Sequence, residues 1–120
     1  MPKTILIAAT DPNIIYLLQR YAEASGFKTV HASQGKELFQ CAQRIHPELI
    51  ILEIDLPGSG GKQTLRRLKG DPATREIPVV VYSYDDEVVF TPADGAAGFL
   101  QKSILYNDFV AALEVAGVHA

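Results

Sequence analysis

Four polar side chains follow or close apolar runs in this 120-residue chain. Thr10 follows TILIAA, Glu53 lies in ELIILEI, Ser83 lies in IPVVVYSY, and Lys102 follows GFLQ. The simplest chemistry for such a set is a Glu53–Lys102 ion pair or charge-assisted hydrogen bond, with the Ser83 hydroxyl beside it. A lysine at the end of a buried strand, next to otherwise neutral residues, needs such a carboxylate. Ser83 also has a plainer reading, as a residue that caps or turns the chain after its strand. Asp11 precedes Pro12, which marks a helix N-cap. The alternative role for Asp11 is as an oxygen ligand for a cation, together with Glu53 and the backbone carbonyl of Asp55. No clear nucleophile–base pair or anion-binding nest is visible. His31, His46 and His119 fall on different elements without helical pairing, so they form no metal motif. The glycine-rich PGSGG (57–61) lacks the lysine ending of a nucleotide-binding P-loop and reads as a turn.

These residues must be positioned by the elements that carry them. TILIAA (4–9) is a continuous β-branched run, as expected of a strand buried on both faces. Ile14, Leu17, Leu18, Tyr21 and Ala22 recur at helical spacing up to Gly26, which closes that helix. Ile15 and Tyr16 fall off this stripe and are expected to be exposed, where they could contribute to an interface. FKTVHA (27–32) reads as a strand and GKELFQCAQRI (35–45) as a helix ending before Pro47. Leu38, Cys41, Ala42 and Ile45 point inward on that helix, Cys41 as a small buried hydrophobe. ELIILEI (48–54) is the third strand, and a helix runs from Gly61 to about Lys69 with Leu65 and Leu68 inward. IPVVVYSY (77–84) and AAGFLQK (96–102) are the fourth and fifth strands. YNDFVAALEVAG (106–117) is the last helix, with Asn107 or Asp108 near its cap. Between strands four and five, Thr91-Pro92 interrupts the segment, so its helix should be short or irregular. This alternation predicts an α/β fold: a doubly wound, flavodoxin-like parallel sheet of five strands in the order 2-1-3-4-5, as a single domain over residues 1–120. That order brings the carboxyl ends of strands one, three, four and five to one crevice.

With ILIAATDP, LEIDLPGSGG, VVVYS and FLQKS in this order, the chain resembles the receiver domain of two-component response regulators over nearly its whole length. The intervals from Thr10 to Glu53 and from Glu53 to Ser83, 43 and 30 residues, suit that family. The resemblance implies a phosphoacceptor aspartate at position 53, an acidic pair for Mg²⁺ at positions 9 and 10, and Ser83 and Lys102 as phosphoryl contacts. Phe99 matches the family's switch aromatic. The acidic positions depart from the pattern. Ala9 cannot ligate, Thr10 offers a neutral hydroxyl, and Glu53 carries its carboxylate about 1.5 Å farther out than aspartate would. In-line phosphoryl transfer tolerates such displacement poorly. Ser103 replaces the family's proline, which removes the usual reason for a cis peptide after Lys102. The interval from Ser83 to Lys102 is also shorter than the family's, with the missing residues in the fourth helix.

The resemblance thus implies a degenerate receiver, a pseudo-receiver in a two-component or phosphorelay system, that acts as a protein-interaction module and not as an enzyme. It implies no cofactor. The implied partners are a histidine kinase or output domain, or a second copy docking on the face made by the fourth helix, fifth strand and last helix. Glu53 would fix the domain in one state, with the Phe99 rotamer set and not switched. Two alternatives stay open: a phosphorylatable receiver with a rearranged Mg²⁺ site, and a small flavodoxin-like enzyme or ligand-binding protein. A net charge of −3 argues against direct nucleic-acid binding. One cysteine excludes an internal disulfide, and no apolar run is long enough to span a membrane. The N-terminus lacks a signal-peptide pattern, so a cytoplasmic location is expected.

Overall fold

Five parallel strands form one sheet in the order β2-β1-β3-β4-β5, with β1 at Thr4–Ala8, β2 at Lys28–Ala32, β3 at Leu49–Glu53, β4 at Val79–Ser83 and β5 at Gly98–Gln101. The structure, a computed structural model, describes residues 3–54, 56, 61–83, 95–101 and 104–120. Among these, the helices are α1 (Pro12–Ala24), α2 (Gly35–Ile45), α3 (Gly61–Gly70) and α4 (Tyr106–Ala116). The strand order and the helix placement agree with the sequence reading. The short helix expected between β4 and β5, most of the PGSGG turn, Asp55, Lys102 and Ser103 lie outside the described residues.

Alternation along each strand divides the core in two. Ile5, Ile7, Leu49, Ile51, Val80 and Tyr82 pack with α1 and α4 on one face. Leu6, Ala8, Ile50, Leu52, Val79 and Val81 pack with α2 and α3 on the other. Every residue of β3 and β4 is buried, as the unbroken apolar runs require of central parallel strands. Cys41 is buried on α2 as expected, and Phe39 is buried as well, with the Arg67 guanidinium 4.1 Å from its ring centroid.

Helix ends fix the loops near the strand tips. The Asp11 carboxylate accepts from the Asn13 N–H at 2.8 Å and Pro12 opens α1, so Asp11 is the N-cap. At α4, the Asp108 carboxylate accepts from the Leu105 N–H at 2.9 Å. One expectation for α1 is corrected. Ile15 is partly buried and packs against the α1/α4-side core, because the buried stripe of α1 is wider than the spacing of its most apolar positions suggests. Tyr16 does stand out, at 63% exposed, with Arg20 6.0 Å from its ring.

Gly61 shows how tightly α3 follows the end of β3. Its N–H donates to the Ile54 carbonyl at 2.9 Å. A Cβ at this position would lie 2.6 Å from the Ile54 Cα, closer than real side chains come, so only glycine allows the approach. The backbone immediately after Glu53 is held twice, since the Ile54 N–H also donates to the Tyr82 carbonyl at 2.9 Å.

Candidate functional site

The carboxyl ends of β1, β3 and β4 meet as the topology requires. Glu53 ends β3 opposite Tyr82, and Ser83 ends β4 opposite Gln101 of β5. Ala9 and Thr10 follow β1 directly. Ala9, Glu53 and Ser83 are buried, Glu53 at 6% exposed, while Thr10 is exposed at the rim. Lys102 follows Gln101 in sequence but lies outside the described residues, and with it the expected Glu53–Lys102 pair.

The partner the structure does give Glu53 is Thr10. The Thr10 N–H donates to Glu53 Oε2 at 3.1 Å, and the Thr10 hydroxyl donates to the same oxygen at 3.0 Å. Hydrogen bonds to an ionised acceptor are the stronger kind, and a nearly buried carboxylate needs them. Thr10 therefore supplies a backbone donor and a side-chain donor to one anionic oxygen.

The loop presenting these donors is fastened from β2. The Ala9 N–H donates to the Ala32 carbonyl at 3.1 Å. The Ala9 carbonyl accepts from His31 Nε2 at 2.8 Å, which places a proton on Nε2 because a carbonyl can only accept. Both backbone groups of Ala9 are thus satisfied, and the next residue is Thr10. The sequence reading considered His31 only as a metal ligand and missed this contact. Its signal lies in the pairing register, which sets Ile7 beside His31 and Ala8 beside Ala32, so that β2 ends level with the β1–α1 loop.

Away from the pocket, β5 and α4 enclose an open groove of about 570 Å³ whose lining includes Phe99, Gln101, Asp108 and Val115. Phe99 is 49% exposed and Val115 72% exposed. Of the candidate interface residues, Phe99 and Tyr16 are presented to solvent, whereas Ile15 belongs to the core margin.

The model of the response regulator receiver domain matches residues 5–114, nearly the whole chain. The chain belongs to that family. The polar-differentiation response regulator DivK of Brucella ovis is 34% identical over 80 residues, a match covering 67% of this chain and 65% of that protein's length. Among solved structures, a sensor protein from Polaromonas sp. JS666 superposes with a TM-score of 0.85 at 26% identity, covering 95% of this chain and 94% of that one. The receiver domain of a sensor histidine kinase from Pseudomonas aeruginosa, solved with magnesium coordinated in its active-site cleft, has a TM-score of 0.86 at 15% identity, covering 98% of this chain and 99% of that one. At that identity the likeness is one of fold. In this receiver domain Thr10 follows β1 by two residues, Glu53 closes β3 and Ser83 closes β4. No described helix is long and apolar enough to cross a membrane.

Proposed function

We propose that this receiver domain signals without being phosphorylated, as a single pseudo-receiver domain that engages a signalling partner by contact alone. The carrying observation is the pair of hydrogen bonds from Thr10 to Glu53 Oε2. A phosphoacceptor must present a free carboxylate oxygen in line with the incoming phosphorus, with Mg²⁺ neutralising the phosphoryl charge. In this chain one oxygen of the residue at that position is engaged by two donors on a single neighbour.

The donor set does not suit Mg²⁺. That ion takes oxygen lone pairs in near-octahedral array, usually with one or two protein carboxylates. Ala9 brings no ligating side chain and its carbonyl accepts from His31 Nε2, while Thr10 directs an N–H and an O–H hydrogen at the carboxylate instead of adding charge to the site. Glu53 is read as a permanent carboxylate that fixes the domain in one state. The β5–α4 groove, with Phe99 and Val115 exposed on it, supports a docking surface for a histidine kinase, an output domain or a second copy. This reading requires no enzymatic step.

Titrating the protein with MgCl₂ while recording amide NMR spectra tests the proposal. The amides of Ala9, Thr10 and Glu53 should stay in place in the natural protein. They should move in the triple variant Ala9→Asp/Thr10→Asp/Glu53→Asp, which rebuilds the family's acidic set. Saturable Mg²⁺ shifts at those amides of the natural protein would refute it.

A further inference from the structure

We propose that the β1–α1 loop of this receiver is an oxyanion-binding site whose occupant, the Glu53 carboxylate, is built into the chain. The proposal rests on the reading of Glu53 as a permanent carboxylate and adds the chemical class of ligand that the loop accepts. Two donors of one residue, the Thr10 N–H and Oγ–H, converge on a single carboxylate oxygen at 3.1 and 3.0 Å. Convergent donors on a short backbone segment are the arrangement that binds carboxylates and phosphates.

The loop owes its shape to contacts that do not involve Glu53. Ala9 is tied to β2 through the Ala32 carbonyl at 3.1 Å and through His31 Nε2 at 2.8 Å. On the far side, Asp11 caps α1 by accepting from the Asn13 N–H at 2.8 Å. Asp11 is the nearest anion in sequence that could oppose a ligand, and this contact directs one of its oxygens to its own helix. The donors are therefore preorganised, and removing the Glu53 side chain should leave them aimed at the space it occupied.

That space has a definite size. Glu53→Ala deletes a methylene and a carboxylate, which are the heavy atoms of acetate. Because Glu53 is 94% buried, the vacated volume is shielded from bulk solvent on most sides. The ligand class is a small monocarboxylate, such as acetate or formate. In the natural protein the tethered carboxylate competes at high effective concentration, so added acetate should have no effect there.

The experiment compares Glu53→Ala in sodium acetate and in sodium chloride at equal ionic strength. At about ten times the half-saturating concentration, acetate should raise the melting temperature by about 5 °C. It should also return the Thr10 amide resonance toward its position in the natural protein. The double variant Thr10→Ala/Glu53→Ala should respond to neither measurement. Absence of an acetate-specific response in Glu53→Ala, or an equal response in the double variant, overturns the proposal. Should Glu53→Ala fail to fold in both salts, Glu53→Gln decides. A site built for an anion holds the neutral amide less tightly, so the Thr10 amide should exchange about tenfold faster; unchanged exchange overturns the proposal. Phosphorylation of the natural protein would instead count against the proposed function, so the two failures are distinguishable.

Discussion

Leu49 to Leu52 and Glu53 share one strand but answer to different constraints. The four apolar residues alternate between two cores, Leu49 and Ile51 against α1 and α4, Ile50 and Leu52 against α2 and α3. Each is sealed by the helical layer on its own side of the sheet. Glu53 is nearly as buried as they are, yet its carboxylate is held by two hydrogen bonds from a neighbouring loop. The body of β3 contributes to the fold through hydrophobic burial on both faces and through its ladders with β1 and β4. Its last residue and the loop facing it can change chemistry while the fold persists.

The sharpest way to separate these two regions is to damage each in turn. Ile51→Ala removes a fully packed side chain between sheet and helices and should cost about 2–5 kcal/mol in urea denaturation, with the Thr10 amide shift preserved while the protein is folded. Loss of the Thr10 signal in the folded variant would show that core and rim are not separable. Thr10→Val keeps the volume but removes one of the two donors to Glu53. It should cost about 1–3 kcal/mol, and Thr10→Ser should recover most of it. A Thr10→Val protein of unchanged stability would mean that the hydroxyl contact is incidental. His31→Ala should have the smallest effect, about 1 kcal/mol, through loosening of the Ala9 carbonyl. His31→Gln, which retains an N–H donor, should restore Thr10 amide protection from hydrogen exchange; equal protection in His31→Ala and the natural protein would remove His31 from the loop's support.

Much of this was legible in the sequence because the strands announce themselves. TILIAA and ELIILEI are runs that suit a doubly covered parallel sheet, and the order of elements left few topologies. Ala9, Thr10, Glu53 and Ser83 were found at the strand tips from spacing and motif. The partner of Glu53 was harder to see. Thr10 was read for the charge it lacks, not for the two hydrogens it can donate, and a backbone N–H has no signature in sequence. His31 was missed for a related reason, since its role depends on β1–β2 register and not on residue type. Ile15 was misjudged because helical periodicity locates the centre of a buried stripe but not its width, which the neighbouring elements decide.

The proposed role of Glu53 is that of a held carboxylate and not of a phosphoacceptor. Its most direct test is the intact mass of the natural protein after incubation with a small-molecule phosphodonor and Mg²⁺, measured beside the Ala9→Asp/Thr10→Asp/Glu53→Asp variant. A permanent Glu53 predicts an unchanged mass for the natural chain and the gain of one phosphoryl group for the variant. A stable phosphoryl adduct mapped to Glu53 in the natural chain would contradict it.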